Sequence, residues 1–378
     1  MGETEREISA KLDAPTTRDE FALLSQGKQI ALEGDYFLIA AAAYYFVETY
    51  ITGPVFHAKI PKEVTLCRPI TQTPDNYILL IGDGMGPNHT KLFEKPPVAI
   101  NKANKAYTDG ENIFYGYLLP NHGFARTNSL SGTTDSAASA TALATGYKTN
   151  NAYIGQDKDH NPVKSLTELA NELGKATAVM TTEVRTGATP SAFSAHANDR
   201  NDTDDILLSQ KAVEAAGTII RSDMDVYSNE EVPAVVEGAV LETLAKLEEN
   251  EAGFFMMYEE AHIDKHSHKN ELNSAFMAVL RFNQVIGLVM EYAYYHPNTF
   301  VLITADHETG LLQPDHTGVM KFNSESHTAT DVPVFAHGEG SALFNDQTVE
   351  NVQIPKTIAK FWGVDSFGDP AGFPALGE

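Results

Sequence analysis

Residues 77–86 (YILLIGDGMG) pass from an uninterrupted apolar run into a glycine-rich segment that holds a single aspartate. A short apolar run bounded by glycine is typical of a strand that is buried on both faces of a sheet. The segment lacks the G-x-G-x-x-G spacing of a dinucleotide-binding turn. Asp83 is therefore either a turn residue or a ligand at the end of a central strand.

Four further apolar runs predict buried strands, and helical patterns separate them. Three leucines recur at helical spacing before Gly174, and apolar residues between Leu272 and Val289 mark a long amphipathic helix. Alternation of strands and helices predicts the α/β class, with a largely parallel central sheet and helices on both faces. The four predicted strands cover residues 178–182, 254–258, 300–304 and 332–336.

Polar residues follow the predicted strands at the points where these strands end. Ligand groups of parallel sheets gather at the carboxyl ends of the strands, so we expect one site at one edge of the sheet. The adjacent pair Asp306-His307 has two side chains that could reach two different ions. The residues expected at this edge are Asp83, Thr189, Arg200, Glu259, Asp306 and His307.

Four more residues are candidates for the site, two of them because of their spacing. Asp264 and His268 stand four residues apart and would share one face of a helix, where they either bind a cation or form a surface pair. His327 is a lone histidine in a polar loop. Ser136 opens an alanine-rich stretch that ends at Gly146, so it lies at or near a helix N-terminus, which favours an alkoxide and a bound phosphate. Alternatively, Asp135 or Ser136 is only the N-cap of that helix.

The amino-acid composition of the chain disfavours some classes of function. The chain of 378 residues has 27 Lys and Arg against 51 Asp and Glu, a net charge of −24, which disfavours a protein that coats nucleic acid or an anionic membrane. Its single cysteine leaves oxygen and imidazole as the metal ligands. The uncharged run 36–47 is too short for a membrane span, so we expect a buried helix and no stable membrane insertion.

Six segments, in the same order along the chain, resemble the motifs of the alkaline phosphatase family. Together they span residues 76 to 340, approximately. The segments are IGDGMG at 81–86, TDSAASAT at 134–141, ATP at 188–190 with AH at 195–196 and Arg200, EEAHIDKHSH at 259–268, TADHETG at 304–310 and SHT at 326–328. The resemblance implies a metal-dependent phosphomonoesterase with an alkaline-phosphatase-like fold.

The resemblance also implies a role for each candidate residue. Ser136 is the expected nucleophile, Arg200 the clamp on two phosphoryl oxygens, and Lys265 and Asp135 further substrate-binding residues. Two zinc ions and one magnesium ion are the implied cofactors. One zinc site comprises Asp264, His268 and His327; the second comprises Asp83, Ser136, Asp306 and His307; the magnesium site comprises Asp83, Thr189 and Glu259.

The implied reaction is hydrolysis of a phosphate monoester to an alcohol and inorganic phosphate through a phosphoserine intermediate. A related phosphodiesterase or sulfatase is the first alternative, and a non-catalytic phosphate- or metal-binding protein is the second. Because the leaving group lies outside the clamp, small phosphate monoesters of many kinds are expected substrates.

Some features depart from the family pattern. Gly187 stands where members carry an aspartate or histidine near the magnesium, so we expect a weaker or water-filled third site. Residues 310–327 form a short segment where many members insert a cap or crown, so a reduced insertion is expected.

We divide the chain into a helical accessory region (1–75) and a catalytic domain (76–378), and expect a homodimer. A periplasmic or extracellular location is favoured by the family alone, since no signal peptide is visible.

Overall fold

The structure, a computed structural model, describes residues 74–94, 97, 113–222 and 232–377. The predicted helical region and its uncharged run 36–47 lie outside these residues. The division between residues 75 and 76 therefore stays a prediction.

An eight-stranded sheet forms the centre of the described part. The predicted apolar runs correspond to five of these strands, β1 (Asn76–Gly82), β3 (Ala176–Thr181), β5 (Phe254–Glu260), β6 (Thr299–Thr304) and β11 (Val332–His337). Among the eight strands, only β11 runs antiparallel to its neighbours. The predicted α/β class with a largely parallel sheet is thus confirmed. In spatial order the strands are β12 (Thr348–Glu350), β2 (Asn121–Arg126), β11, β6, β1, β5, β3 and β4 (Ile219–Arg221).

Helices cover this sheet in two layers. The α-helices are α1 (Pro87–Thr90), α2 (Ser136–Thr145), α3 (Leu166–Glu172), α4 (Ala188–Ser194), α5 (Thr203–Ala215), α6 (Val232–Leu247), α7 (His262–Ser267), α8 (Leu272–Tyr295) and α9 (Gln353–Phe361). Neighbouring side chains of a strand point to opposite faces. In β5, Phe254 contacts Tyr292 of α8, whereas Phe255 contacts Phe193 of α4. Helices α8 and α4 therefore lie on opposite faces of the sheet.

The predicted long amphipathic helix is α8, and it packs on β1, β5 and β6. Among the described residues it is the one helix long and apolar enough to cross a bilayer, and 56% of its most apolar window is buried. Phe276, Val279 and Ile286 on its buried side belong to the main hydrophobic core. Here α8 serves as a core helix.

Four adjacent strands, β6, β1, β5 and β3, bring their carboxyl ends to one edge of the sheet. Ile81 of β1 pairs with Thr304 of β6 on one side and Glu259 of β5 on the other, and Glu259 pairs with Thr181 of β3. The strand ends are therefore level, although the strands come from distant parts of the sequence. This register places the polar residues that follow each strand close together.

The segment after β6 is short. Strand β7 (Glu308–Thr309) pairs antiparallel with β10 (His327–Thr328), and between them the chain forms one small hairpin of β8 (Gln313–Pro314) and β9 (Met320–Lys321). The expected reduced insertion is this hairpin. Because β11 runs antiparallel, its first residue lies at the same edge as the ends of β6 and β1, and His327 reaches that edge from the loop before β11.

Candidate active site

Ser136 is the first residue of α2, and Asp135 is its N-cap. The Asp135 Oδ1 accepts a hydrogen bond from the Ala138 amide at 2.9 Å, and Oδ2 accepts one from the Ala152 amide at 2.9 Å. The N-cap and the candidate nucleophile are therefore different residues: Asp135 caps the helix, and the Ser136 hydroxyl remains available to the site. Its Oγ lies 3.1 Å from Nε2 of His307.

Arg200 is held beside this helix N-terminus. Its Nη1 lies 3.3 Å from Oδ2 of Asp135, and its backbone amide donates to the Ala152 carbonyl at 2.8 Å. About a third of the arginine side chain (34%) is exposed, so the guanidinium keeps donors for an anion. Asp135 thus contacts both α2 and the arginine, which fixes the arginine relative to Ser136.

The first group of candidate metal ligands consists of Asp264, His268 and His327. Nε2 of His268 lies 3.0 Å from Nε2 of His327, and the two atoms lie 3.3 Å and 3.6 Å from Oδ1 of Asp264. Nδ1 of His268 donates to the Glu325 carbonyl, and Nδ1 of His327 donates to the Thr134 carbonyl. In the neutral rings, both Nε2 lone pairs therefore face the same point, which suits a divalent cation.

Protons and cations compete in this first group. The hydrogen bond with Asp264 raises the pKa of His268 to about 9. Burial alone would raise the pKa of Asp264, but the hydrogen bond with His268 and the neighbouring imidazoles hold it well below its usual range. A cation must displace the imidazole proton to bind, so its affinity rises with pH.

The second group consists of Asp83, Asp264 and His307, with Asp306 beside it. Nε2 of His307 lies 3.6 Å from Oδ1 of Asp83 and 3.3 Å from Oδ2 of Asp306. Asp264, which the sequence assigns to one ion only, thus lies at the boundary between the first and second groups. Ser136 contacts the second group through His307.

Backbone amides orient Asp306 within the second group. Its Oδ1 accepts hydrogen bonds from the amides of Gly84 and His307 at 3.1 Å and 2.9 Å, while its Oδ2 accepts no hydrogen bond from the described residues and lies beside the His307 ring. Gly84 adopts a φ of +74°, and a Cβ there would lie 2.8 Å from Cα of Asp264. Glycine is therefore required at this position by both backbone conformation and close approach.

The third group consists of Asp83, Thr189 and Glu259 and offers only oxygen atoms. Oδ1 of Asp83, Oγ1 of Thr189 and Oε1 of Glu259 are buried and make no hydrogen bond of normal geometry in the described part of the chain, although the Thr189 hydroxyl approaches Glu259 closely enough to offset part of the rise that burial causes in its pKa. Buried polar atoms without partners cost free energy, which a bound cation would offset. Burial, reinforced by repulsion from nearby carboxylates, raises the pKa of both Asp83 and Glu259 well above its usual range.

Two adjacent glutamates of β5 have different surroundings. Glu259 faces the third group, where the Thr181 hydroxyl donates to its Oε2. Glu260 pairs with Arg281 of α8 and accepts a hydrogen bond from the Thr182 hydroxyl at 3.2 Å. Despite burial, the arginine lowers the pKa of Glu260 to about 2. Glu260 is therefore an ion-pair residue of the core, and Glu259 is the one turned to the site.

Replacing Arg281 with leucine should destabilise the fold, because it removes the arginine charge from the fully buried Glu260 and leaves it with His262 and Thr182 as neighbours. Breaking one side of a buried ion pair costs about 3–5 kcal/mol. Urea unfolding measures the loss, and the double variant R281L/E260L should recover most of it. The idea is wrong if R281L unfolds at the wild-type urea concentration.

Two further residues contact predicted site residues but are absent from the predicted set. The Thr309 hydroxyl donates to Oδ1 of Asp264 at 2.5 Å. Glu183, which follows β3, pairs through Oε2 with Nζ of Lys265 at 2.7 Å. The expected substrate-binding Lys265 thus points to a carboxylate of this edge.

Comparison with known proteins agrees with this geometry. A model of the alkaline phosphatase family matches residues 75–232 and 223–318, which is more than half of the chain. The chain belongs to the alkaline phosphatase family. The family depends on metal ions, and the described residues include two groups of candidate ligands made of aspartate and histidine.

Curated relatives and a solved structure give the same family. Alkaline phosphatase 4 of Bacillus subtilis (strain 168) is 26% identical over 66% of this chain and 65% of its own length. Alkaline phosphatase 3 of the same organism is 26% identical over 76% of this chain and 71% of its own length. The alkaline phosphatase of the Antarctic bacterium TAB5 superposes with a TM-score of 0.66 at 26% identity, covering 78% of this chain and 99% of that one. A variant of it with a histidine changed to glutamate is solved with magnesium bound in its M3 site.

Proposed function

We propose that this protein hydrolyses phosphate monoesters to an alcohol and inorganic phosphate through a phosphoserine at Ser136. The observation that carries the proposal is the position of the Ser136 hydroxyl. It lies at the N-terminus of α2, 3.1 Å from the candidate metal ligand His307, and Arg200 is held beside it through Asp135. Nucleophile, anion clamp and candidate metal ligands therefore meet at one point.

Each residue then has a defined task. Arg200 binds two oxygens of the phosphoryl group and orients phosphorus toward Ser136 Oγ. Ser136 attacks in line and the alcohol leaves; water then attacks the phosphoserine from the vacated side and releases Ser136 and phosphate. The N-terminus of α2 favours the negative charge on the serine oxygen. Divalent cations, when bound, supply Lewis-acid activation of the hydroxyls and stabilise the departing oxygen.

The donor atoms support two zinc ions and one magnesium ion. The first and second groups combine imidazole nitrogen with carboxylate oxygen, which suits zinc. The third group offers oxygen alone, which suits magnesium, and the magnesium-bound M3 site of the Antarctic relative's variant supports that choice. We also propose a homodimer, as the family resemblance implies.

Assay of three aryl esters separates this function from its alternatives. With zinc and magnesium present, we expect rapid release of nitrophenol from the phosphate monoester and far slower release from the diester and the sulfate. Faster diester or sulfate hydrolysis would favour a related superfamily enzyme. No turnover of any ester by the metal-loaded protein would favour the non-catalytic binding protein.

Replacing Arg200 with alanine should weaken the binding of the phosphoryl group, because it removes charge-assisted hydrogen bonds to two of its oxygens. Each such bond contributes about 1.5–3 kcal/mol, so we expect KM to rise and phosphate inhibition to weaken by roughly 10- to 100-fold or more. Steady-state kinetics with inorganic phosphate as inhibitor measures both. Arg185→Ala is the control, because that arginine pairs with Glu214. Unchanged phosphate inhibition in R200A would remove Arg200 from the clamp.

A further inference from the structure

Glu183 stands in the same relation to β3 as Asp83 does to β1. Strand β3 ends at Thr181 and strand β1 at Gly82, and a carboxylate follows each strand within two residues. Because β3 pairs with β5, which carries Glu259, the segment after β3 runs beside the third group. The Glu183 side chain is largely buried, with 14% of it exposed.

Gly187 makes room for this carboxylate. Its φ is −55°, a value that any residue can adopt, so backbone conformation does not require glycine here. The Glu183 side chain occupies the space beside residue 187, since a Cβ there would lie 1.9 Å from its Oε1, so a larger residue would force this carboxylate to move. Gly187 is also the N-cap of α4, whose second residue is Thr189 of the third group. The Glu183 carboxylate therefore lies against the backbone that positions a predicted magnesium ligand.

Hydrogen bonds through Thr181 also connect Glu183 to the third group. The Glu183 amide donates to Oγ1 of Thr181 at 3.1 Å, and the same hydroxyl donates to Oε2 of Glu259. Lys265 pairs with Oε2, whereas Oε1 is the atom that faces Gly187. Three carboxylates thus concentrate negative charge at this place, which a divalent cation would largely offset.

We propose that Glu183 supplies an additional carboxylate to the cation of the third group, directly or through a bound water, in the space that Gly187 leaves open. The inference rests on the proposed function only in assigning the third group to a cation. It replaces the expectation of a site weakened by Gly187, since the carboxylate comes from a residue four positions earlier in the chain. Oxygen atoms from Asp83, Thr189, Glu259 and Glu183 form a hard donor set of the kind that magnesium and manganese prefer.

Binding of Mn²⁺ tests the inference without turnover. The protein is first loaded with zinc in the first and second groups, and Mn²⁺ is then titrated and followed by electron paramagnetic resonance. Glu183→Gln keeps the shape and removes the charge, so we expect the Mn²⁺ dissociation constant to rise roughly 10- to 100-fold with two zinc ions retained. Glu172→Gln is the matched control, because Glu172 also pairs with a lysine, at 2.6 Å from Lys164, but on the exposed surface.

Two further variants separate a cation ligand from a partner of Lys265. Lys265→Met should leave Mn²⁺ affinity unchanged or increase it, because a competing positive charge is removed. In the Glu183→Ala background, Gly187→Asp should restore part of the lost affinity, since the space is then free. In the presence of Glu183, the same aspartate meets the 1.9 Å conflict and should not increase affinity.

The inference is overturned if Glu183→Gln binds Mn²⁺ as tightly as the wild type, or if the zinc-loaded wild type binds no Mn²⁺. Its failure differs from failure of the proposed function, which would appear as absent ester hydrolysis whatever the Mn²⁺ affinity. Weakened Mn²⁺ binding in E183Q together with an unchanged E172Q would support it.

Discussion

Replacing Ser136 with alanine is expected to lower kcat toward an aryl phosphate by roughly 10⁴-fold or more, a loss typical of removing a nucleophile. The Ser136 side chain is buried, and its one side-chain hydrogen-bond partner in the described part of the chain is His307, so the fold should tolerate the change. Steady-state rates with zinc and magnesium present measure the effect. The variant should still bind as many metal ions as the wild type, although the second group has lost one oxygen ligand.

Trapping of the phosphoserine intermediate gives a second test of the S136A variant. Incubation with labelled phosphate, followed by acid quenching and peptide mapping, should place the label on Ser136 in the wild type and nowhere in S136A. Ser131→Ala is the control, since that exposed serine lies five residues earlier, outside the helix. Wild-type turnover by S136A, or a label on another residue, would refute the proposed mechanism.

Removing the metal ions is expected to abolish activity and also to destabilise the fold. Four buried carboxylates, those of Asp83, Glu259, Asp264 and Asp306, meet at the sheet edge. A ligand present at a thousand times its dissociation constant stabilises the folded state by about 4 kcal/mol per site. Chelation should therefore lower Tm by roughly 10 °C or more, and zinc with magnesium should restore both Tm and turnover.

This metal effect should grow with pH. In the metal-free protein the pKa of Asp83 and of Glu259 is raised above its unfolded value, and that of Asp306 is raised to about 7. A carboxyl group with a raised folded pKa stabilises the fold fully below its unfolded pKa and loses that contribution as pH rises through the folded pKa. The metal-free protein should therefore lose stability as pH rises from about 4, the unfolded pKa, through about 7, the folded pKa of Asp306, while bound cations replace the protons in the loaded protein.

Thermal unfolding of the chelated and loaded protein across this pH range checks the sign. The difference in Tm should widen toward higher pH. A constant or shrinking difference would mean that these carboxylates are not what the cations neutralise. The double variant R281L/E260L is a useful reference, because it changes a buried pair outside the metal groups.

The central strands were predictable because both of their faces are buried. Every residue of β1, β5 and β6 is buried, so each strand is an uninterrupted apolar run up to the site. Strands β2, β4 and β12 lie at or near the edges of the sheet and were not predicted. The three residues of β4 are only half-buried, and β2 alternates with exposed positions, so neither stands out from the loops beside it.

The candidate site was predictable where a residue follows a strand or matches a motif. Glu183 follows β3, and the strand-end rule that selected Asp83 applies to it equally. It was missed because its significance depends on the space above Gly187, which is a property of packing. Asp264 is shared between two groups for a similar reason, since i,i+4 spacing shows which residues share a helix face but not how many ions that face meets.

The pairing of β7 with β10 has a consequence for how this active site could be enlarged. The chain leaves the sheet edge through β7 and returns through β10, and His327 pairs with Thr309 at the base of the intervening hairpin. The closure entropy of a loop grows only slowly with its length. The hairpin beyond the β7–β10 pair could therefore become a much larger lid while the residues before β7 and in β10 stay in place. Grafting a foreign cap between β8 and β9 would then change which leaving groups are admitted without altering the reacting atoms.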